Sequence, residues 1–286
     1  MRVTYLGPPG TFSEDALRAA IGDEEVEAIP AASVYDAIVA IREGTADRAL
    51  VPFENSVEGA VTATLDTLAF DADGLSLVGE YDLPIRHCLI APEELPLERI
   101  EVVLSHPQAS AQCARFIRKN LPEAEVRAAA STAEAVRTVA ESDLPWAALG
   151  TDSAAALYGA AVLRHGVEDE ADNITRFVWV APEGTSPSGS GPWRTSLVFS
   201  ELGEDHPGAL VQALAAFSRR DVNLTRIESR PLRRGLGRYQ FFVDIEGAAS
   251  DEPLASAIED LRSKAETVRV LGSWPIAAAP GVPGSG

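Results

Sequence analysis

Lysine is nearly missing from this chain of 286 residues. Lys119 and Lys264 are the only two, so arginine supplies almost all of the 24 basic side chains. Against them stand 43 acidic residues, for a net charge of −19. That balance excludes a nucleic-acid-binding protein and one held on an anionic membrane surface. Cysteine is equally scarce. Cys88 and Cys113 are too few for a disulfide framework or a thiolate metal cluster, and a reduced cytosol suits both. The four histidines (His87, His106, His165, His206) are scattered, with no metal-ligand spacing. No apolar run reaches the length of a membrane span, and residues 1–6 read as a strand rather than a signal peptide. The expectation is a cytoplasmic protein with no metal and no cofactor.

What is present fits a globular protein of two or three domains. Hydrophobic residues make up 46% of the chain, enough for packed cores. The acidity has two readings. It marks adaptation to high salt, where screening removes self-repulsion, or a GC-rich genome that has replaced Lys by Arg.

Strand–loop–helix order recurs along the first 180 residues, the pattern of α/β layers with a largely parallel sheet. Strands are expected at Val3–Leu6, Val26–Ile29 and Ala49–Pro52, and again at Ile100–Leu104, Glu125–Ala128 and Trp146–Leu149. Helices open at Thr11, Ser33, Ser105, Ser131 and Thr151, and the one from Ser105 runs to about Asn120. Two lobes are expected, 1–75 with 160–180 and 76–159, crossed by extended segments into a clamp. Residues 181–193 form a Gly/Ser/Pro linker. Residues 194–276 then read βαββαβ, a ferredoxin-like arrangement. Residues 277–286 read as a disordered tail.

Four loops place small hydroxyl or amide residues where a strand runs into a helix. They are Thr11-Phe12-Ser13, Asn55-Ser56, Ser105-His106-Pro107-Gln108 and Thr151-Asp152-Ser153. Helix N-termini carry unpaired N–H groups and partial positive charge, so converging ends can hold an anion without lysine. The same residue types are ordinary N-caps, and both readings stand. Gly7-Pro8-Pro9-Gly10 is neither a P-loop nor a dinucleotide fingerprint. Glu54 faces either a cleft mouth or solvent. Gln112 lies two helical turns after Ser105, on the same side, and His106 reads as a turn residue rather than a base. On a strand Thr175 and Phe177 face one way and Arg176 the other. Gly208, at a helix start, allows close backbone approach to a ligand or partner.

Four blocks together resemble the signatures of prephenate dehydratases: Gly7-Pro8-Pro9-Gly10-Thr11-Phe12-Ser13-Glu14, Val51-Pro52-Phe53-Glu54-Asn55-Ser56-Val57-Glu58-Gly59, Ser105 through Cys113, and Thr175-Arg176-Phe177. Gly208-Ala209-Leu210 and Glu228-Ser229-Arg230-Pro231 resemble that family's regulatory ACT domain. No chorismate mutase segment precedes Met1, so the resemblance is to the monofunctional form. It implies a two-lobed clamp similar to periplasmic binding proteins over residues 1–180, followed by the ACT unit. The implied reaction takes prephenate to phenylpyruvate for phenylalanine synthesis. By the same resemblance Thr175 donates to the leaving hydroxyl, and Glu54 or a relayed water supplies the proton. Asn55, Ser105 and Gln112 orient the substrate. Arg176 pairs with a carboxylate, and Thr11, Ser13, Ser56 and Phe177 complete the site. Phenylalanine, as allosteric inhibitor, would bind between paired ACT units at Gly208, Ala209, Leu210, Asn223, Glu228, Ser229 and Arg230, in a homodimer or homotetramer. Two other readings remain: an arogenate dehydratase, and a non-catalytic clamp that binds a small anion.

The high-salt reading predicts that the thermal midpoint rises between dilute buffer and molar KCl. A midpoint indifferent to KCl would leave only the codon-usage explanation.

Overall fold

The computed structural model describes residues 1–187, 191–203 and 207–276. The expected tail at 277–286, part of the 181–193 linker and His206 lie outside the described residues. Two compact units form. One comprises Met1–Ala37, Leu50–Gly59 and Asp82–Phe177; the other comprises Ile38–Ala49, Ala60–Tyr81 and the chain from Val178 onward.

In chain order the first elements are β1 (Arg2–Leu6), α1 (Phe12–Ile21), β2 (Glu27–Ala31), α2 (Val34–Arg42), β3 (Arg48–Asn55), β4 (Gly59–Ala60) and α3 (Thr62–Phe70). There follow β5 (Leu75–Pro84), β6 (Cys88–Ala91), β7 (Val102–Ser105), α4 (Pro107–Gln112), α5 (Ala114–Asn120), β8 (Glu125–Ala128), α6 (Thr132–Ala140), β9 (Trp146–Gly150), α7 (Asp152–Tyr158), β10 (Ala161–His165) and β11 (Ile174–Pro182). The last elements are β12 (Trp193–Ser200), α8 (Ala209–Ser218), β13 (Leu224–Pro231), β14 (Tyr239–Glu246), α9 (Leu254–Arg262) and β15 (Thr267–Pro275).

In the first unit β1 pairs in parallel with β2, and β1, β3 and the start of β11 are sheet neighbours. Val3, Thr4 and Tyr5 are all buried, as befits a strand covered on both faces. A second sheet has the order β10-β6-β9-β7-β8. Its β7 runs parallel to β8 and β9, but β6 and β10 run antiparallel to their neighbours. The sheet is therefore mixed, not largely parallel. Strand β10 escapes the sequence because it is a short edge strand with only Leu163 fully buried. Helix α6 packs on this sheet through Ala133, Ala135, Val136 and Val139. Ser131 and Glu134 form its cap: the Glu134 N–H donates to Ser131 Oγ at 3.0 Å, and the Glu134 carboxylate accepts from Ala130 N–H at 3.1 Å.

The helix expected from Ser105 to about Asn120 is two helices broken at Cys113. Asp169 causes the break. Its N–H donates to the carbonyl of Gln112, the last residue of α4, at 2.7 Å. Its carboxylate accepts from the N–H groups of Arg115 and Phe116, which open α5. One residue thus satisfies two helix ends.

In the second unit β12 to β15 form an antiparallel sheet of order β13-β14-β12-β15. Helices α8 and α9 cover one face, with Leu197, Phe199, Phe217, Val243, Ile258 and Leu261 in the shared core. This is the expected βαββαβ unit. Its β15 touches β5 through a single pair, Gly272 with Leu77.

A methyl group on Gly272 would lie 2.1 Å from the Leu77 carbonyl oxygen. Gly272→Ala is therefore expected to cost about 1–3 kcal/mol, as overpacking does. The check is the urea midpoint, which falls at unchanged slope; an unaltered midpoint would refute the contact.

Candidate functional site

Asn55 closes β3 and fastens it to the start of β11. Its Oδ1 accepts from the N–H groups of Val57 and Glu58, both at 2.9 Å, in an Asx turn. Those two donors fix which end of the amide is nitrogen. Nδ2 therefore donates, to Asn173 Oδ1 at 2.7 Å and to Thr175 Oγ1 at 2.9 Å. Because the Thr175 hydroxyl accepts from Asn55, its own hydrogen remains available to donate. Ser56 completes the seam. It accepts from Ile174 N–H at 2.9 Å and donates to the Asp172 carbonyl at 3.2 Å. Asn55-Ser56 is thus not a helix start. Helix α3 begins at Thr62 with Val61 at its N-cap, because both side chains are already engaged in the turn and seam.

The polar network continues through Asn173. Its Nδ2 donates to Gln112 Oε1 at 3.1 Å, and Gln112 Nε2 donates to Glu58 Oε1 at 3.3 Å. His87 Nε2 lies 3.0 Å from the same Gln112 Oε1. Asn173 and His87 are only 1% and 2% exposed, so their own bonds are shielded from bulk water, whereas the Gln112–Glu58 bond is exposed. Burial lowers the His87 pKa, opposed in part by the bond to Gln112 and by Glu168, so the ring stays neutral near pH 7. Neither residue is prominent in the sequence. Asn173 stands beside the Thr175 block and could have been read with it; the isolated His87 carries no such signal.

Other predicted residues take different places. Ser105 is fully buried and donates to the Leu149 carbonyl at 2.9 Å. Thr151 caps α7 through Ala154 N–H and donates to the Gly10 carbonyl at 2.9 Å, which brings the starts of α1 and α7 together. Thr11 begins α1 without a side-chain cap, and its hydroxyl donates to Leu6 O at 3.2 Å. Ser13 is buried in the first turn of α1. The Gly10 N–H donates to Glu14 at 2.7 Å, so the chain's own carboxylate already occupies this anion position. His106 caps α4, with Gln108 N–H donating to Nδ1 at 3.3 Å, which is a structural role.

Glu54 and Arg176 do not join Thr175. They pair with each other at 2.7 Å, and the Arg176 guanidinium also lies 5.1 Å from the Phe53 ring centroid. Successive strand residues point to opposite faces, so the Asn55–Thr175 pair puts Glu54 and Arg176 across the sheet. Phe177 is 2% exposed and belongs to the interior. A cavity of about 230 Å³ adjoins Glu58, Gln112 and Asn173. Glu168, Asp169 and Glu170 also line it, and Arg115 is already paired with the last two, so this cavity does not suit an anion.

Cys88, Asp152 and His165 bring three potential ligand atoms within 4.8 Å of one another, a grouping the scattered sequence positions hide. His165 Nδ1 lies 3.5 Å from Cys88 Sγ and 3.1 Å from Asp152 Oδ1. Burial and neighbouring carboxylates push the Cys88 thiol up to about 12.

In the βαββαβ unit, Gly208 caps α8 with φ +92, a backbone that favours glycine. Ala209 and Leu210 follow in the first turn. Strands β12 and β13 both pair antiparallel with β14 and so run parallel to each other. The Glu228-Ser229-Arg230 end of β13 therefore shares an edge with Gly208, while Asn223 lies at the opposite edge. One chain does not bring Asn223 to Gly208. Arg230 binds Asp66 of α3 through two bonds, at 3.1 and 2.9 Å, and Arg233 adds a third at 3.0 Å. Burial raises the Asp66 pKa, but the two arginines outweigh it and hold the carboxyl below its usual range. Arg233 also lies 4.7 Å from the Phe70 ring centroid, and Arg269 donates to the Leu68 carbonyl. Three arginines thus hold α3.

The chain matches the family model for prephenate dehydratase over residues 3–185 and that for the ACT domain over 201–263. A prephenate dehydratase of Mycolicibacterium vanbaalenii is 41% identical, over 97% of this chain and 93% of the relative. The structure of a prephenate dehydratase from Arthrobacter aurescens in complex with L-Phe is 39% identical, with TM-score 0.87 over 98% of this chain and 93% of the other. The structure of GqqA, described as a novel type of quorum quenching acylase, is 31% identical, with TM-score 0.85 over 97% and 98%.

Proposed function

The chain belongs to the prephenate dehydratase family, and we propose that its Thr175 hydroxyl, oriented by Asn55, performs the elimination that turns prephenate into phenylpyruvate under phenylalanine control. The carboxylate on the ring leaves as carbon dioxide, and its bonding electrons move through the ring. They expel the hydroxyl across the ring, which takes up one proton and departs as water. Aromatisation drives both cleavages. The observation that supports the reading is the Asn55 Nδ2–Thr175 Oγ1 bond of 2.9 Å, which leaves the hydroxyl hydrogen of Thr175 available to donate. A hydroxyl that donates a hydrogen bond stabilises the departing oxygen in the transition state. Threonine is too weak an acid to give up the proton for good, so a proton from solvent, passed on through water and the Thr175 hydroxyl, completes the departing water. Glu54, held by Arg176, is not asked to supply it.

An acylase would need a nucleophile activated by a base. Thr175 is contacted by an amide, and both cysteines are buried with raised pKa values, so dehydration is the reading the site favours.

For regulation, L-phenylalanine would sit at Gly208-Ala209-Leu210 and Glu228-Ser229-Arg230, with Asn223 contributed by a second copy. Feedback inhibition requires phenylalanine to bind the inactive state more tightly than the active one. The Arg230–Asp66 pair ties the sensor strand to α3, the helix that follows the Asn55 turn in the chain.

Thr175→Ala should lower turnover by at least about a hundredfold, the range for losing such a group, with the circular dichroism spectrum intact. Near-normal turnover would remove Thr175 from the mechanism. Gly208→Val, which forces a branched side chain into φ +92, should abolish inhibition by phenylalanine and leave uninhibited turnover unchanged. Retained sensitivity would move the effector elsewhere.

A further inference from the structure

We propose that His87 is a positioning residue for the Thr175 hydroxyl, acting through Gln112, Asn173 and Asn55. The proposal rests on Thr175 being the group that acts on the substrate.

Hydrogen-bond direction singles out His87. Backbone N–H groups fix Asn55 with Oδ1 as acceptor and Nδ2 as donor. Asn173 must then offer Oδ1 to Asn55 and Nδ2 to Gln112. Gln112 must therefore turn Oε1 toward Asn173 and Nε2 toward the Glu58 carboxylate, which can only accept. His87 meets that same Oε1, so its Nε2 must carry the hydrogen. Reversing any one amide would set acceptor against acceptor or donor against donor at a buried or part-buried contact. The chain thus has a single consistent orientation, and His87 is its terminus.

The imidazole is held for that task. It is 2% exposed, and the Phe12 ring meets it edge-on, with centroids 5.1 Å apart. Its Nδ1 is buried with no hydrogen-bond partner, so the ring is anchored at one nitrogen only. Without the Nε2 donor, Gln112 keeps only Asn173 and the exposed Glu58 as partners, and the amide that orients Asn173 is held less firmly. Asn173 is what shares the Nδ2 group of Asn55 with Thr175.

Imidazole nitrogen NMR on the intact wild-type protein is the first test, because it needs no variant and the chain has only four histidines. His87 should appear as the neutral Nε2–H tautomer; the Nδ1–H tautomer or a cation would overturn the proposal. Steady-state kinetics with prephenate is the second. His87→Leu should lower kcat by about 10- to 100-fold, the scale of a small misplacement of a reacting group, with KM changed less than about threefold. His87→Gln, whose amide can donate from nearly the Nε2 position, should recover most of that loss. The double variant with Thr175→Ala should be no slower than Thr175→Ala alone, because the two act as one unit. Wild-type kcat in His87→Leu, no recovery in His87→Gln, or additive losses would each overturn the relay. Wild-type turnover in Thr175→Ala itself would instead defeat the underlying role of Thr175, and the relay with it.

Discussion

Asn55 engages both ends of its side-chain amide in joining the end of β3 to the start of β11. The rest of the site depends on this. The backbone fixes the amide's direction, the direction leaves the Thr175 hydroxyl as acceptor with its hydrogen still to donate, and it also sets the order of donors back to His87. A buried network of this kind is costly if any member is unsatisfied. Here each member's orientation follows from its neighbour, and this order supports the role proposed for the weakly acidic Thr175 hydroxyl.

The same economy of charge runs through the sensor half. With lysine almost absent, arginine makes the contacts that need geometry as well as charge. Arg230 grips Asp66 with a two-pronged bond, Arg233 adds to the same carboxylate, and Arg269 reaches the α3 carbonyl at Leu68. A planar guanidinium suits such pairs better than a lysine ammonium. Arg230 belongs to the Glu-Ser-Arg-Pro block, so a residue that marks the regulatory domain in the sequence also holds a helix from the N-terminal half of the chain.

Much of the fold was legible because it is local. The βαββαβ order follows from apolar periodicity and turn residues, and the caps at Ser33 and Ser131 follow from Ser and its acidic partner three residues on. Illegible features depend on partners far along the chain. The break at Cys113 is imposed by Asp169, and the turn at Asn55-Ser56 is stitched to residues 172–174. Asn55, Gln112 and Thr175, which the structure joins in one hydrogen-bond network, stand in recognisable blocks. His87 and Asn173 carry no such signal, because what links them to these residues is a three-dimensional chain of donors and acceptors. Glu54 stands next to Asn55 in the sequence, and the structure pairs it with Arg176 on the opposite face of the strand.

The most direct test of the account is the rate at which purified protein converts prephenate to phenylpyruvate in molar KCl, with and without phenylalanine, followed by phenylpyruvate absorbance in alkali. The account predicts turnover that phenylalanine suppresses. A folded protein that leaves prephenate untouched would contradict it.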